Sequence, residues 1–256
     1  MPDMLSVLLA QTALATLLWL YQWRSGNAGW VDVFWSAAVG VTALVYLASG
    51  DGALPVRVIS ALLVTIWSWR LASHIFKRVA SDQAEDGRYA AMRASLGAMV
   101  QPVFLLFFWA QALLAWLFSL PFRVLADHTT FSWPLLIAGL LVGLLAIAGE
   151  SLADRQLAAF KARRDSAGKT CREGLWRYSR HPNYFFEWLH WFSYPLIAVG
   201  AAGGAWLWLL PVVMWLFLWF VTGIPYTEKQ ALKSRGDDYR HYQQTTSAFF
   251  PWRPKS

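Results

Sequence analysis

Five stretches of this chain contain no Asp, Glu, Lys or Arg: residues 4–23, 33–50, 94–122, 129–149 and 188–227. A helix needs about 20 mostly apolar residues to cross the hydrocarbon core of a bilayer, so these runs supply five or six crossings, the longest run crossing twice. Segments at that depth must satisfy their own backbone polar groups, which leaves helices and closed β-barrels. Barrel strands alternate polar and apolar residues, whereas strings such as LLVGLLAIAG are continuously apolar. The expected fold class is an all-α integral membrane protein. With 57% hydrophobic and 14% charged residues and 17 Trp, the chain is neither disordered nor an ordinary soluble domain.

Seven spans fit best, over 4–23, 30–49, 57–76, 101–120, 131–150, 184–200 and 205–224, the last two joined by the small-residue turn 200–205. The formal charge is +7, but its distribution follows topology rather than a nucleic-acid surface. Lys plus Arg number one in 24–29, four in 77–99, eight in 151–182 and six in 225–256, against one each in 50–57 and 121–128. Alternate loops are basic, the positive-inside pattern, which predicts a multi-pass protein with the N-terminus outside and the C-terminus in the cytoplasm. Asp3 precedes the first apolar run and no basic segment does, unlike a signal peptide. The single Cys171 excludes an intramolecular disulfide. No internal repeat or low-complexity linker divides the chain, so residues 1–256 read as one membrane domain with polar segments at 77–99, 151–183 and 225–256.

A charge at bilayer depth costs about 3 kcal/mol on insertion scales, so each one there needs a partner, a wet cavity or a function. Asp32 opens the second span, either as an interfacial residue near a helix start or as a functional group. Arg70 and His74 are i,i+4 on one face and suit either an ion pair with Asp32 or a substrate contact. In EDGRYAAMR, Glu85, Tyr89 and Arg93 are four apart and share a face if helical, and a solvated face carries the same pattern. Glu150, Asp154 and Lys161 continue the fifth span along one stripe. Two acids at that helix end oppose the helix dipole and ask for donors, either neighbouring arginines or the hydroxyl and amide groups of a cofactor.

The densest signal is GLWRYSRHPNYFFEWLHWFSY, residues 174–194. Pro182 suits a first helical turn, and from it Asn183, Glu187, His190 and Tyr194 recur at helical spacing inside an apolar, Trp-rich segment. Four polar residues in line, beside Arg177, Arg180 and His181, point to a ligand channel. The loop leading into this segment carries Lys161, Arg163, Arg164, Lys169, Arg172, Arg177 and Arg180, which suit phosphate oxygens of a cofactor or anionic lipid headgroups. Tyr239 and Tyr242 in the tail suit either a membrane-surface anchor or a cover over a cofactor ring. No GxGxxG or GxxxxGK[ST] string occurs. Glu187 and His190 form one ExxH pair without a second, so no metal centre is expected.

The strings VDVFW, RLASHI, EDGRY, ESLADRQL, GLWRYSRHPNYFFEW and YRHYQQTTSAFFPW, in this order over nearly the whole chain, resemble the steroid 5α-reductase superfamily and its bacterial seven-span branch, the DUF1295-like proteins. The resemblance implies NADPH-dependent reduction of a carbon–carbon double bond conjugated to a carbonyl in a lipophilic substrate. It assigns residues 1–125 to the substrate side and 126–256 to the cofactor. Glu150, Asp154, Asn183 and Glu187 fall at the family's nicotinamide and ribose contacts, and Lys161 and Lys169 near its phosphate contacts. Arg177, Tyr178, Arg180, His181, Tyr184, Glu228, Tyr239 and Tyr242 complete the cofactor set this reading implies. The steroid enzymes' Gln–Glu pair and third-span Tyr are absent, so the catalytic part passes to Asp32, His74 or Tyr89, with Trp35, Arg70, Glu85 and Arg88 toward the substrate.

The RHPNY string and the paired-tyrosine tail also resemble isoprenylcysteine and phospholipid methyltransferases, which implies S-adenosylmethionine as the alternative cofactor. A lipid-binding protein without enzymatic activity is a third reading. All three have membrane lipids as neighbours and no nucleic acid, and none fixes an oligomeric state.

Overall fold

A computed structural model describes residues 2–81, 85–221 and 223–255. Ten α-helices occur among them: α1 Met4–Ser25, α2 Trp30–Ser49, α3 Leu54–Ser81, α4 Gly87–Leu96, α5 Val100–Ala126, α6 Trp133–Lys161, α7 Pro182–His190, α8 Ser193–Ile197, α9 Leu209–Leu216 and α10 Ile224–Thr245. Short 3₁₀ turns lie at Gly97–Met99, Gly174–Arg177 and Gly204–Trp208, and a π turn at Phe217–Val221. There is no strand among the described residues. Six helical stretches are long and apolar enough to cross a bilayer, Met4–Ser25, Trp30–Ser49, Leu54–Ser81, Gly87–Ala126, Trp133–Lys161 and Gly204–Thr245. The protein is a multi-pass integral membrane protein with an all-helical fold.

The span expected at 184–200 is not one helix. Its sequence forms α7, of nine residues, and α8, of five, with a turn at Trp191 and Phe192 between them. Pro195 explains the break. A continuous helix would need its missing N–H for the carbonyl of Trp191, and its ring would collide with that carbonyl.

The chain divides into two compact units. The first comprises Met1–Ser132 with Ala198–Gly204, the second Trp133–Ile197 with Ala205–Ser256. In the first unit α2 packs along α3 and α5, and α1 along α5. Close approach of α2 and α3 depends on small residues. A Cβ on Gly40 would stand 2.2 Å from Ser68 Oγ, which donates to the Ser36 carbonyl at 2.8 Å. Gln11 of α1 donates to Thr42 of α2 at 2.8 Å. The turn from α2 to α3 is pinned to the end of α5 by Gly52 N–H to Ala126 O and Ala53 N–H to His128 O. Leu5, Leu9, Leu14 and Leu17 of α1 are exposed, the side-chain chemistry a lipid-facing helix requires.

In the second unit α6 receives α7 and α8 over two glycines. A Cβ on Gly149 would lie 2.4 Å from the Phe186 ring, and one on Gly139 2.5 Å from Ile197. After the π turn the sequence becomes polar, and α10 carries Glu228, Lys229, Lys233, Arg235, Asp237, Asp238 and Arg240. The chain then runs back along 178–180 through Arg180 N–H to Ser247 O and Trp252 N–H to Tyr178 O. Phe249 is buried against Phe185, Trp188 and Trp219.

Candidate functional site

Polar groups gather into two sets, one within each unit. In the second unit, α6 presents Glu150 and Asp154 one turn apart, and the first turns of α7 present Asn183 and Glu187. Pro182 starts α7, where its missing N–H is harmless and its fixed φ suits the helix. Glu150 and Glu187 are 7% and 8% exposed. Asn183 donates from Nδ2 to Asp154 Oδ1 at 3.4 Å, while its Oδ1 is buried and makes no hydrogen bond among the described residues. Glu187 Oε1 accepts the indole N–H of Trp191 at 3.0 Å, and His190 Nε2 lies 2.8 Å from the Tyr194 hydroxyl. The stripe Asn183, Glu187 and His190 is therefore helical as spaced. It reaches Tyr194 through the i,i+4 bond across the break before α8. The set is rich in acceptors and suits a ligand that brings N–H and O–H donors.

The loop before α7 is held to α10 by a second group of side chains in the same unit. Glu228 of α10 accepts from Arg180 Nε at 2.7 Å, from Gln243 Nε2 at 2.8 Å and from the Tyr239 hydroxyl at 3.4 Å, and His181 Nε2 lies 3.3 Å away. Arg180 also donates to the carbonyls of Gln243 and Thr246. Tyr242 donates its hydroxyl to the carbonyls of Trp176 and Ser179. Tyr184 stacks on His181 with rings 5.3 Å apart, and its hydroxyl meets Thr227. Gly174, at φ +57°, fits under the Gln156 side chain, where a Cβ would lie 2.3 Å from Nε2. Burial pushes the His181 imidazole below its usual pKa, with the Glu228 carboxylate opposing that shift. The Cys171 thiol is likewise raised by burial.

Five members of the predicted cofactor set, Arg180, His181, Glu228, Tyr239 and Tyr242, thus share one network that fixes the loop 174–181 to α10. Lys161, Arg177 and Tyr178 are exposed along the same loop region, and Lys169 pairs with Asp165 at 3.2 Å. Gln243 and Trp191 were not singled out from sequence. Helical spacing places Trp191 four residues after Glu187, a signal that was available. Gln243 joins the network only through tertiary packing.

In the first unit the hub is Asp32, in the first turn of α2, whose N-cap is Gly29. Arg88 Nη2 donates to Asp32 Oδ2 at 2.7 Å and the Tyr89 hydroxyl to Oδ1 at 2.8 Å. Arg78 lies 4.0 Å from Asp32 and 3.5 Å from Asp86. Asp86 caps α4 by accepting the Arg88 N–H and the Arg88 Nε. Burial would raise its pKa, but these bonds and the charge of Arg88 outweigh it and the carboxyl stays below its ordinary range.

Glu85 precedes α4 rather than lying on its face, because the helix starts at Gly87. Its carboxylate still reaches Arg93 at 2.9 Å and accepts the Ala28 N–H at 2.8 Å. The ring of Tyr89 is buried against Phe104 and Phe107. Trp35 packs edge-on against Trp67 and Phe118, its indole N–H buried with no hydrogen bond among the described residues. Arg70 is half-buried on α3, and His74, one turn further, is exposed.

The sequence between residues 18 and 246 matches the family described as a protein of unknown function, DUF1295. An uncharacterized protein of Schizosaccharomyces pombe is 27% identical over 95% of this chain and 78% of its own length. The match spans both polar sets, from Asp32 in the first turn of α2 to Thr246, whose carbonyl accepts from Arg180, and the chain accordingly belongs to the DUF1295 family of the steroid 5-alpha reductase-like superfamily.

Proposed function

We propose that the protein is an NADPH-dependent reductase of a carbon–carbon double bond conjugated to a carbonyl in a lipophilic substrate. The observation that carries this reading is the buried, unbonded Oδ1 of Asn183 beside Asp154. A carboxamide N–H₂ and ribose hydroxyls are the donors that such acceptors take up, and a buried acceptor left without one costs about 1–3 kcal/mol. Asn183 and Asp154 would hold the nicotinamide end, with Glu150 and Glu187 on the same two helices. Lys161, Lys169 and Arg177 are among the cations of the adjoining loop with phosphate-binding chemistry.

When bound, NADPH supplies a hydride. The residues of the chain then have to stabilise the negative charge that develops on the carbonyl oxygen, which requires a positioned hydrogen-bond donor. Asp32, His74 and Tyr89 are the candidates for that part; Tyr89 could serve only by releasing the hydroxyl proton it donates to Asp32 Oδ1. S-adenosylmethionine, with an ammonium group and ribose hydroxyls, offers the second reading for the same acceptors. A thermal-shift titration with NADPH, NADH and S-adenosylmethionine separates the two. Stabilisation by NADPH alone is expected, and none at millimolar NADPH would exclude the reductase.

A further inference from the structure

In the first unit, the last two turns of α3 carry a cationic stripe. His74, Lys77, Arg78 and Ser81 stand at i, i+3, i+4 and i+7, which places them on one helical face. All four are exposed. With Phe76 and Ala80 they line an open groove of about 570 Å³.

Helix length sets the depth of this groove. The 28 residues of α3 extend about 42 Å at 1.5 Å each, more than a hydrocarbon core of about 30 Å, so its polar end reaches the headgroup layer. Aromatic rings mark the same level. Phe76, 50% exposed, meets Trp30 edge-on at 5.6 Å, and Trp30 meets Tyr21 at 6.2 Å, the amphipathic belt expected at an interface.

The two ends of this unit use their cations differently. Near the opposite end, Arg57 donates to the carbonyls of Leu47 and Ala48, and Arg123 to that of Pro2. Lys77 forms no ion pair among the described residues. Arg78 shares Asp86 and Asp32 only at 3.5 and 4.0 Å and keeps its side chain 44% exposed.

We propose that this groove binds the headgroup of an anionic phospholipid. Lys77 and Arg78 neutralise the phosphate, His74 and Ser81 offer an N–H and an O–H to its oxygens, and the Phe76–Ala80 rib lies against the first carbons of the acyl chains. That apolar rib distinguishes a lipid from a soluble phosphate ester, which would leave it in water.

The test is native mass spectrometry of the intact, delipidated protein offered equal amounts of phosphatidylglycerol and phosphatidylcholine. The wild type is expected to retain phosphatidylglycerol several-fold over phosphatidylcholine. Lys77→Gln should lower that ratio about fivefold, the effect of one basic residue at an anionic surface. Lys77→Arg and Lys233→Gln, which removes a charge from α10 of the second unit, should keep it. Equal retention of the two lipids by the wild type would overturn the proposal, as would an equal loss in Lys233→Gln or a loss in Lys77→Arg. Displacement of the lipid by millimolar glycerol 3-phosphate would reassign the groove to soluble phosphates.

Discussion

Tyr89 donates its hydroxyl to Asp32 Oδ1 across 2.8 Å, joining α4 to the first turn of α2. Tyr89→Phe keeps the buried ring and removes one hydrogen bond to a charged group, a loss of about 1.5–3 kcal/mol that should lower the melting temperature. If Tyr89 is also the acid of the proposed reduction, kcat should fall about 100-fold or more with NADPH affinity unchanged. A variant that melts earlier yet turns over normally would make the pair structural only.

Asn183→Ala removes the buried Oδ1 acceptor and its bond to Asp154. NADPH affinity measured by titration should weaken about tenfold, the loss of one well-made hydrogen bond, while the detergent-solubilised protein stays folded. Unchanged affinity in folded protein would remove Asn183 from the cofactor site.

Glu228 sits among Arg180, His181, Tyr239 and Gln243, and the side chains of Glu228 and Arg180 are only 16% and 11% exposed. Removing one partner of a buried ion pair leaves the other charge uncompensated, so Glu228→Ala should cost about 3–5 kcal/mol. Limited proteolysis should then cut first in the loop 174–181. Glu228→Gln, which keeps an acceptor for Arg180, should lose less.

The depressed pKa of His181 gives a pH dependence of definite sign. The folded state favours the neutral imidazole more than the unfolded state does. This contribution is complete above the unfolded value of about 6.5 and declines as pH falls from there toward the folded pKa. Melting temperature measured from pH 8 to pH 5 should drop at the acid end. His181→Gln should flatten that drop, and an unchanged profile would assign it to other groups.

Gly149 lies under the Phe186 ring, with 2.4 Å left for a Cβ. Gly149→Ala overpacks this contact of α6 with α7, and a cost of about 1–3 kcal/mol should appear as a lowered melting temperature. An unaltered melt would mean that the ring moves aside freely.

How far sequence reached depended on the range of the interactions involved. Continuous apolar runs locate helices such as α2 because crossing a bilayer is a constraint each segment meets on its own. The break at Pro195 is also local and was legible in principle, but the hydropathy of 184–200 masked it. The site was legible as spacing on single helices. Asn183 and Glu187 stand on α7 as their interval of four requires. The partnership of Asp32 with Tyr89 and Arg88 joins residues more than 50 positions apart, which no local pattern encodes. Glu228 belongs here too: an acid after an apolar run gives no sign of the Arg180, Gln243 and Tyr239 donors that packing brings to it.

The interruption between α7 and α8 bears on how the chain enters the membrane. Nine and five helical residues are each too short to partition into a bilayer alone, where about 20 are needed. The carbonyls freed at the break need donors or a wet surface. Residues 182–197 therefore depend on α6, whose Gly139 and Gly149 receive Ile197 and Phe186, being in place first. The segment that carries Asn183 and Glu187 is accordingly held at its place by a neighbouring helix rather than by its own hydropathy.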